Sequence, residues 1–343
     1  MVVIDWLSVN YHGVYNGSKL FHEKVLPYRS KMFGKLVELY WNSDLICILS
    51  LQPAPGVLHE KLIQIKYSNK LLYHSGLFNF IKMVESDLDL KFIGFSRLDL
   101  AHDFNKFCNN LDPELFIKKV ASEKYVKKGL ANFKFIAKNR SRLMFQYLKI
   151  GSDKSDLVGY LYNKTAELEE VRNKPYIRDI WSLNNINQNF DVWRLEFSIK
   201  GNSWNMIDST TGENYSHTTA LLENKDLLIS IYGTCLEKIF TFYYNEQKIR
   251  KDRNRKLVLL PEFKDTILLS KWCEKFDSSR SDRIMINKLL SIWDELRNVE
   301  KGKGLLFYTA ARKHATRTNL LHYMAKSELK FTRNDKSKKI EEV

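Results

Sequence analysis

Ser96-Arg97-Leu98-Asp99-Leu100-Ala101-His102-Asp103-Phe104 is the stretch that decides how this chain is read. Side chains alternate across a β-strand with a period of two. Arg97, Asp99, Ala101 and Asp103 therefore share one face, and Leu98, Leu100, His102 and Phe104 share the other. The leucines anchor the second face in a core, which leaves the first presenting an arginine and two acids. Val192–Lys200 repeats the arrangement, with Arg194, Glu196, Ser198 and Lys200 opposite Leu195, Phe197 and Ile199. In Val158–Lys164 the residues Tyr160, Tyr162 and Lys164 fall on one face.

Set side by side in one sheet, these three faces gather carboxylates, cations and a tyrosine. Oxygen ligands suit Mg²⁺ or Mn²⁺, and such an ion polarises a phosphodiester. A tyrosine hydroxyl can attack phosphorus and form a covalent link. Free tyrosine titrates near ~10 and needs assistance at neutral pH; Lys164 and the ion are the expected helpers. Asp99 and Asp103 lie four strand residues apart, roughly 13 Å. Asp99 with Glu196 is therefore the first choice of metal ligands, and Asp103 the second. Taken singly, each strand also fits a cross-strand salt-bridge ladder. His102, on the apolar face, reads as a core residue.

Outward from these strands, the 343 residues are 44% hydrophobic and 28% charged, with 14 Gly and 6 Pro. That excludes a disordered or fibrous chain. No run approaches the roughly 20 apolar residues of a membrane span. The opening Met1-Val-Val-Ile-Asp-Trp has neither the basic nor the long apolar region of a signal peptide. The four cysteines, Cys47, Cys108, Cys235 and Cys273, are scattered without a Cys-x-x-Cys pair, which argues against a zinc ribbon or disulfide framework. A reduced intracellular protein is expected, with no membrane partner.

The net charge of +15 is concentrated. Residues 101–150 and 301–343 each hold 11 Lys/Arg against 4 Asp/Glu, so the rest of the chain is nearly neutral. Two basic blocks suggest a polyanionic partner. In the first, Lys127, Lys128, Lys134, Lys138, Arg140 and Arg142 are interleaved with Tyr125, Phe133 and Phe135, a mixture suited to phosphate contacts and base stacking. In the second, Lys313 and Arg317 sit in a helical pattern that fits either duplex recognition or a solvated basic face.

The first ~200 residues read as strand-rich. Helices are expected at 71–87 and 112–128, and a hairpin from Arg142–Ile150 to Leu157–Tyr162 around Gly151-Ser-Asp-Lys-Ser-Asp. Beyond Gly201, residues 217–249, 264–277, 283–300 and 304–325 read as helical. The expected fold class is α+β, with a mixed or antiparallel central sheet and helices on one face. The expected domains are a catalytic region at 1–205, a helical DNA-binding or accessory region at 206–330 and a basic polar tail at 331–343.

Arg97-Leu-Asp-Leu-Ala-His-Asp103, Gly151-Ser-Asp-Lys-Ser155, Tyr162-Asn-Lys164 and Trp193-Arg-Leu-Glu196 follow in this order. Together with the opening strand Ile4-Asp-Trp-Leu-Ser-Val they resemble the replication initiation factors of rolling-circle plasmids and related mobile elements. They are distantly similar to filamentous-phage replication initiators. The resemblance covers about residues 1–200. It implies a nickase that cuts and rejoins one origin strand through a 5′-phosphotyrosine, using Mg²⁺ or Mn²⁺. Tyr162 would be the nucleophile, and Asp99, Asp103 and Glu196 the acids. It also implies single- and double-stranded origin DNA as partner and a bacterial cytoplasm as location, with a host helicase and a second copy of the chain as further partner candidates. The family carries Arg two residues before its tyrosine, where this chain has Tyr160. That leaves Arg97, Lys164 and Arg194 as candidates for neutralising the phosphate, and Tyr160 as a second nucleophile or a stacking platform. Alternatives are a non-cleaving DNA-binding protein of the same fold, or a relaxase for conjugative transfer or transposition.

Overall fold

In a computed structural model, the chain is described at all residues except 29, 56–57, 128–131, 140–142, 153, 172, 201–203, 209–211, 213, 216–217, 246–254, 262, 264–266, 272–279, 297–300 and 318–343. From the amino end run β1 (Val2–His12), β2 (His22–Val25), β3 (Phe33–Trp41), β4 (Asp44–Pro53) and β5 (Leu62–Tyr67). Next come α1 (Asn69–Leu72), α2 (Leu77–Asp87), β6 (Lys91–Phe104), α3 (Pro113–Ala121), β7 (Tyr125–Lys127), β8 (Phe133–Asn139) and β9 (Leu143–Ile150). After these come β10 (Leu157–Asn163), α4 (Lys164–Glu170), α5 (Pro175–Leu183), β11 (Trp193–Lys200) and β12 (Trp204–Asp208). The chain continues through α6 (Lys225–Ile239), β13 (Phe242–Tyr244), β14 (Ile267–Lys271), α7 (Arg280–Leu296) and α8 (Lys301–Arg317).

Ten strands form one sheet in the order β2-β3-β4-β5-β1-β6-β11-β10-β9-β8, every neighbour antiparallel. The fold is α+β. The three strands singled out by alternation are consecutive neighbours: β11 pairs with β6 on one side and β10 on the other. Leu7, Val9, Leu98, Leu100, Leu195 and Phe197 are buried in the core. Each such side chain contributes about 1.5–3 kcal/mol by leaving water. The buried Ile81 of α2, Phe116 of α3 and Ile231 of α6 belong to the same cluster. Gly159 on β10 lets α6 come close, since a Cβ there would meet Ile239 Cγ2 at 2.8 Å.

The hairpin of β9 and β10 forms as its turn composition predicts, with Gly151 at a positive φ of 109°. Asp112 caps α3, accepting from the Glu114 and Leu115 amides. Three expectations change. The helix expected at 112–128 ends at Ala121, and Tyr125–Lys127 form β7. Residues 267–271, expected to be helical, form β14 paired with β12, consistent with the β-branched and leucine-rich run Ile267-Leu-Leu. The described residues within 217–249 make a short 3₁₀ turn, then α6 and β13, which pairs with β7.

The chain divides into two compact units, Met1–Lys271 and Trp272–Val343. The expected division near residue 205 thus falls inside the first unit, because α6 is part of the sheet's core: the Tyr232 hydroxyl donates to the Leu195 carbonyl at 3.2 Å. In the second unit α7 and α8 pack through Ile286, Leu290 and Ala311, with Trp293 against Tyr308. No helix among the described residues is long and apolar enough to cross a membrane.

Candidate functional site: an acid, a tyrosine and a lysine in a groove on the polar sheet face

Arg194, on β11, is completely buried. Its Nε and Nη2 donate to Asp103 Oδ1 and Oδ2 at 2.6 and 2.7 Å, and its Nη1 donates to Asp5 Oδ1 at 2.7 Å. Trp181 Nε1 of α5 donates to Asp103 Oδ2 at 2.7 Å. The Tyr73 hydroxyl donates to Asp5 Oδ1 at 2.5 Å. Burial works against the charged form of Asp5, but the Arg194 and Lys164 charges overcome it and hold that carboxyl well below the usual range. Such a bidentate pair is costly to desolvate and costlier to break. It locks β1, β6 and β11 together at one end of the polar face.

Asp5 is the residue that alternation misses. Counting by two from buried Leu7, Val9 and Tyr11 points Asp5 into the core. A β-bulge intervenes: Ile4 pairs with Leu100 and Trp6 with Asp99, which leaves Asp5 as the extra residue. A bulge re-aims the side chain it carries, and here it turns a carboxylate onto the polar face. The register shift is the only signal for it, and that is visible only once the strands are paired.

Three strands along the sheet from β1, Tyr162 is half-buried on β10 and its hydroxyl donates to Glu196 Oε2 at 2.9 Å. Asn163 ends the strand and caps α4 by accepting from the Ala166 amide at 2.9 Å. Lys164 is therefore the first helical residue, not the last of the strand. It still reaches the tyrosine, with Nζ 3.4 Å from the Tyr162 hydroxyl and 2.5 Å from Glu167 Oε2. Glu196 is buried. Burial, aided by the charges of Asp5 and Asp99, pushes its carboxyl up to about 8. Burial and the Glu196 charge also push the Tyr162 phenol well above its ordinary value.

Arg97 donates from Nε and Nη2 to the two oxygens of Asp99, at 2.9 and 2.5 Å. Tyr160 is half-buried with its ring 6.2 Å from that of Tyr147 and under Lys149 Nζ at 5.9 Å. A groove of ≈ 1160 Å³ is lined by Tyr160, Tyr162, Lys164, Glu196, Asp5 and Arg97 among others. Asp99, Asp103 and Arg194 are not among its lining residues. Of the three cations expected to meet a phosphate, Arg97 and Lys164 face the groove, whereas Arg194 is spent on Asp103 and Asp5.

The divalent ion implied by the resemblance needs several oxygen ligands meeting at one point. Among the described residues no group of three or more His, Cys, Asp or Glu side chains is so placed. Asp99 is held by Arg97, Asp103 by Arg194 and Trp181, and Asp5 by Arg194 and Tyr73. Glu196 alone of the expected ligands lines the groove. The arrangement does not fit a divalent ion, and Asp103 belongs to the buried pair with Arg194.

Elsewhere, His102 packs against Phe104, Tyr232 and Phe263, and burial lowers its imidazole to about 4, as a core residue requires. Of the basic block, Lys134 is exposed on the edge strand β8 and Lys127 is half-buried, donating to the Lys238 carbonyl at 3.3 Å. Lys128, Arg140, Arg142 and the side chain of Lys138 lie outside the described residues. Lys313 is exposed on α8; the side chain of Arg317 lies outside the described residues.

Fold and site together define an α+β protein with a ten-stranded antiparallel sheet whose polar face carries a carboxyl–phenol–ammonium cluster in a groove. No family model matches the chain, and no curated protein matches it. A solved structure described as a rolling circle replication initiator protein from Geobacillus stearothermophilus is similar, with a TM-score of 0.46 and 13% identity, over 75% of this chain and 92% of that one.

Proposed function

We propose that the chain initiates rolling-circle DNA replication by nicking and rejoining one strand at an origin. The observation that carries this is the Tyr162 hydroxyl, bonded to Glu196, beside Lys164 and open to a groove that also presents Arg97 and Tyr160. The motif order Arg-Leu-Asp, Tyr-x-Lys and Trp-Arg-x-Glu supports the same reading.

In the proposed step the Tyr162 oxygen attacks a backbone phosphorus and its proton passes to Glu196. The Tyr–O–P bond forms and the P–O3′ bond breaks. The leaving oxygen takes up a proton and becomes the 3′-OH that primes synthesis. A group titrating near operating pH is well suited to carry such a proton, and Glu196 at about 8 meets that condition. Lys164 offsets charge on the phenolate and phosphate, and Glu167 holds it in place. Rejoining is the reverse: a 3′-OH attacks the phosphotyrosine, so the link conserves the bond energy and no nucleotide cofactor is consumed. The sheet unit is the catalytic part in this reading. The basic residues Lys127, Lys128, Lys134, Lys138, Arg140 and Arg142 bind melted strand, and Lys313 and Arg317 on α8 bind duplex. The site of action is the bacterial cytoplasm, on a mobile element.

The test is incubation of the purified chain with labelled single-stranded origin DNA, with and without Mn²⁺ or Mg²⁺, followed by a denaturing gel. A protein–DNA adduct lost in Tyr162→Phe and kept in Tyr160→Phe is expected. Binding without an adduct under any condition would support the non-cleaving alternative instead.

A further inference from the structure

Lys174 lines the same groove as Tyr162, Lys164 and Glu196, yet takes no part in the step proposed above. It caps the start of α5 and is followed by Pro175 at the first helical position. A proline there fixes the entry of the chain into the helix, and the residue before it is kept out of the helical region. The helix is well seated. Ile177 and Trp181 are buried in one cluster with Leu168 and Val192, and Trp181 is tied to Asp103. Lys174 thus reaches the groove from a rigid support.

Asn69 on α1 aims the side chain. Its amide oxygen accepts from Lys174 Nζ at 3.0 Å and from the Tyr176 hydroxyl at 2.7 Å. Its amide nitrogen donates to the Asp5 carbonyl at 2.7 Å and to Asp5 Oδ1 at 3.4 Å. The ammonium is therefore anchored, but to a neutral acceptor. Lys164 holds Glu167, Arg97 holds Asp99 and Lys70 holds Asp44; among the described residues the hydrogen bond of Lys174 goes to an amide oxygen instead. An ammonium carries three donors, so this bond leaves it able to meet a further oxygen. Burial and the Lys164 charge lower the Lys174 ammonium below its ordinary value, and the carboxylates of Asp5 and Glu167 only partly offset them. Like charges in one groove are relieved by an anion placed between them. Because Lys164 Nζ is 3.4 Å from the Tyr162 hydroxyl, an anion shared by the two lysines lies beside the nucleophile.

We propose that Lys174 is a phosphate-binding catalytic residue, which together with Lys164 holds the phosphodiester that Tyr162 attacks. The inference rests on the function proposed above and adds to it a second cation at the cleaved linkage. Charge builds on the phosphate oxygens as the Tyr–O–P bond forms, and a cation already in place costs no reorganisation at that moment. Asn69 supplies that placement without neutralising the charge.

The experiment uses the full chain and two readouts. Adduct formation on labelled single-stranded origin DNA is followed in single turnover at saturating DNA. Binding of the same strand, fluorescein-labelled, is followed by anisotropy over a range of salt concentrations in the Tyr162→Phe background, where no adduct forms. Lys174→Met removes the charge and keeps most of the stem. It should slow adduct formation about 10²-fold and lower the salt slope by about 0.7, the value of one single-strand phosphate contact. Lys174→Arg keeps the charge and should retain the wild-type slope. Thermal melting reports folding, and if Lys174→Met fails to fold, Lys174→Gln carries the comparison. A folded variant without the charge that forms adduct within about twofold of wild type, or keeps the wild-type slope, would overturn the assignment. Wild type that forms no adduct would instead overturn the function on which the assignment rests.

Discussion

Glu196→Gln replaces the carboxyl that accepts the Tyr162 hydroxyl with an amide of the same shape. Gln still accepts that hydrogen bond but cannot take the proton. Positioned general bases contribute about 10²–10⁴ in rate. The Tyr162 phenol is held above its ordinary value, so spontaneous ionisation at neutral pH does not make up the loss. Adduct formation should fall by about 10²–10⁴, with single-stranded DNA affinity retained. The pH profile gives a sharper reading. In the wild type the rate should rise with pH and level off above about 8, where Glu196 is ionised; in the variant that inflection should vanish. Stability supplies an independent check. The unfolded chain releases this proton near pH ~4.3, whereas the folded chain holds it to about 8. Between those values the folded state binds more protons, so its stability falls as pH rises through the window. At about 1.4 kcal/mol per unit, the effect amounts to a few kcal/mol, and Glu196→Gln should remove it. Rates are read by single-turnover quench onto denaturing gels, and stability by urea titration at several pH values. A variant that makes adduct within about tenfold of wild type, with the inflection intact, would refute the assignment of Glu196 as base.

Three further predictions follow from the same geometry. Asp103→Asn leaves the buried Arg194 without its bidentate partner and should cost about 3–5 kcal/mol of stability in urea titration; a loss under about 1 kcal/mol would mean that Asp5 and Tyr73 suffice. Gly159→Ala drives a methyl against Ile239 of α6 and should cost about 1–3 kcal/mol, read as a lower melting temperature of the first unit. DNA binding should weaken steeply with salt as counterions are released, and a flat response in anisotropy titrations would count against the basic residues as the DNA surface.

Much of this site was legible in the sequence because the strands concerned are regular. In β6, β10 and β11, counting by two from buried leucines placed Arg97, Asp99, Tyr162 and Glu196 on one face, and pairing made those strands neighbours. Partner choice among the charges was not legible. Nothing in the spacing says that Arg194 takes both Asp103 oxygens and one of Asp5, or that Arg97 folds onto Asp99 within its own strand. The acids read as a metal-binding set are instead mostly paired with arginines. Asp5 was hidden by a bulge, which shifts parity by one residue and leaves no compositional mark. Lys164 was placed beside Tyr162 for an incomplete reason: Asn163 caps a helix there, and the first turn happens to direct the ammonium back to the phenol. In the carboxyl-terminal half, Ile267-Leu-Leu-Ser-Lys271 fits a helical or a strand period equally over so short a run, and pairing with β12 decides it.

Tyr162 is the group proposed to become joined to DNA. Digesting the purified adduct with nuclease and protease and sequencing the modified peptide by mass spectrometry tests this most directly. The expected product is a nucleotide remnant on Tyr162, bound through a 5′ phosphate. A remnant on Tyr160, or on any residue outside β10, would contradict it.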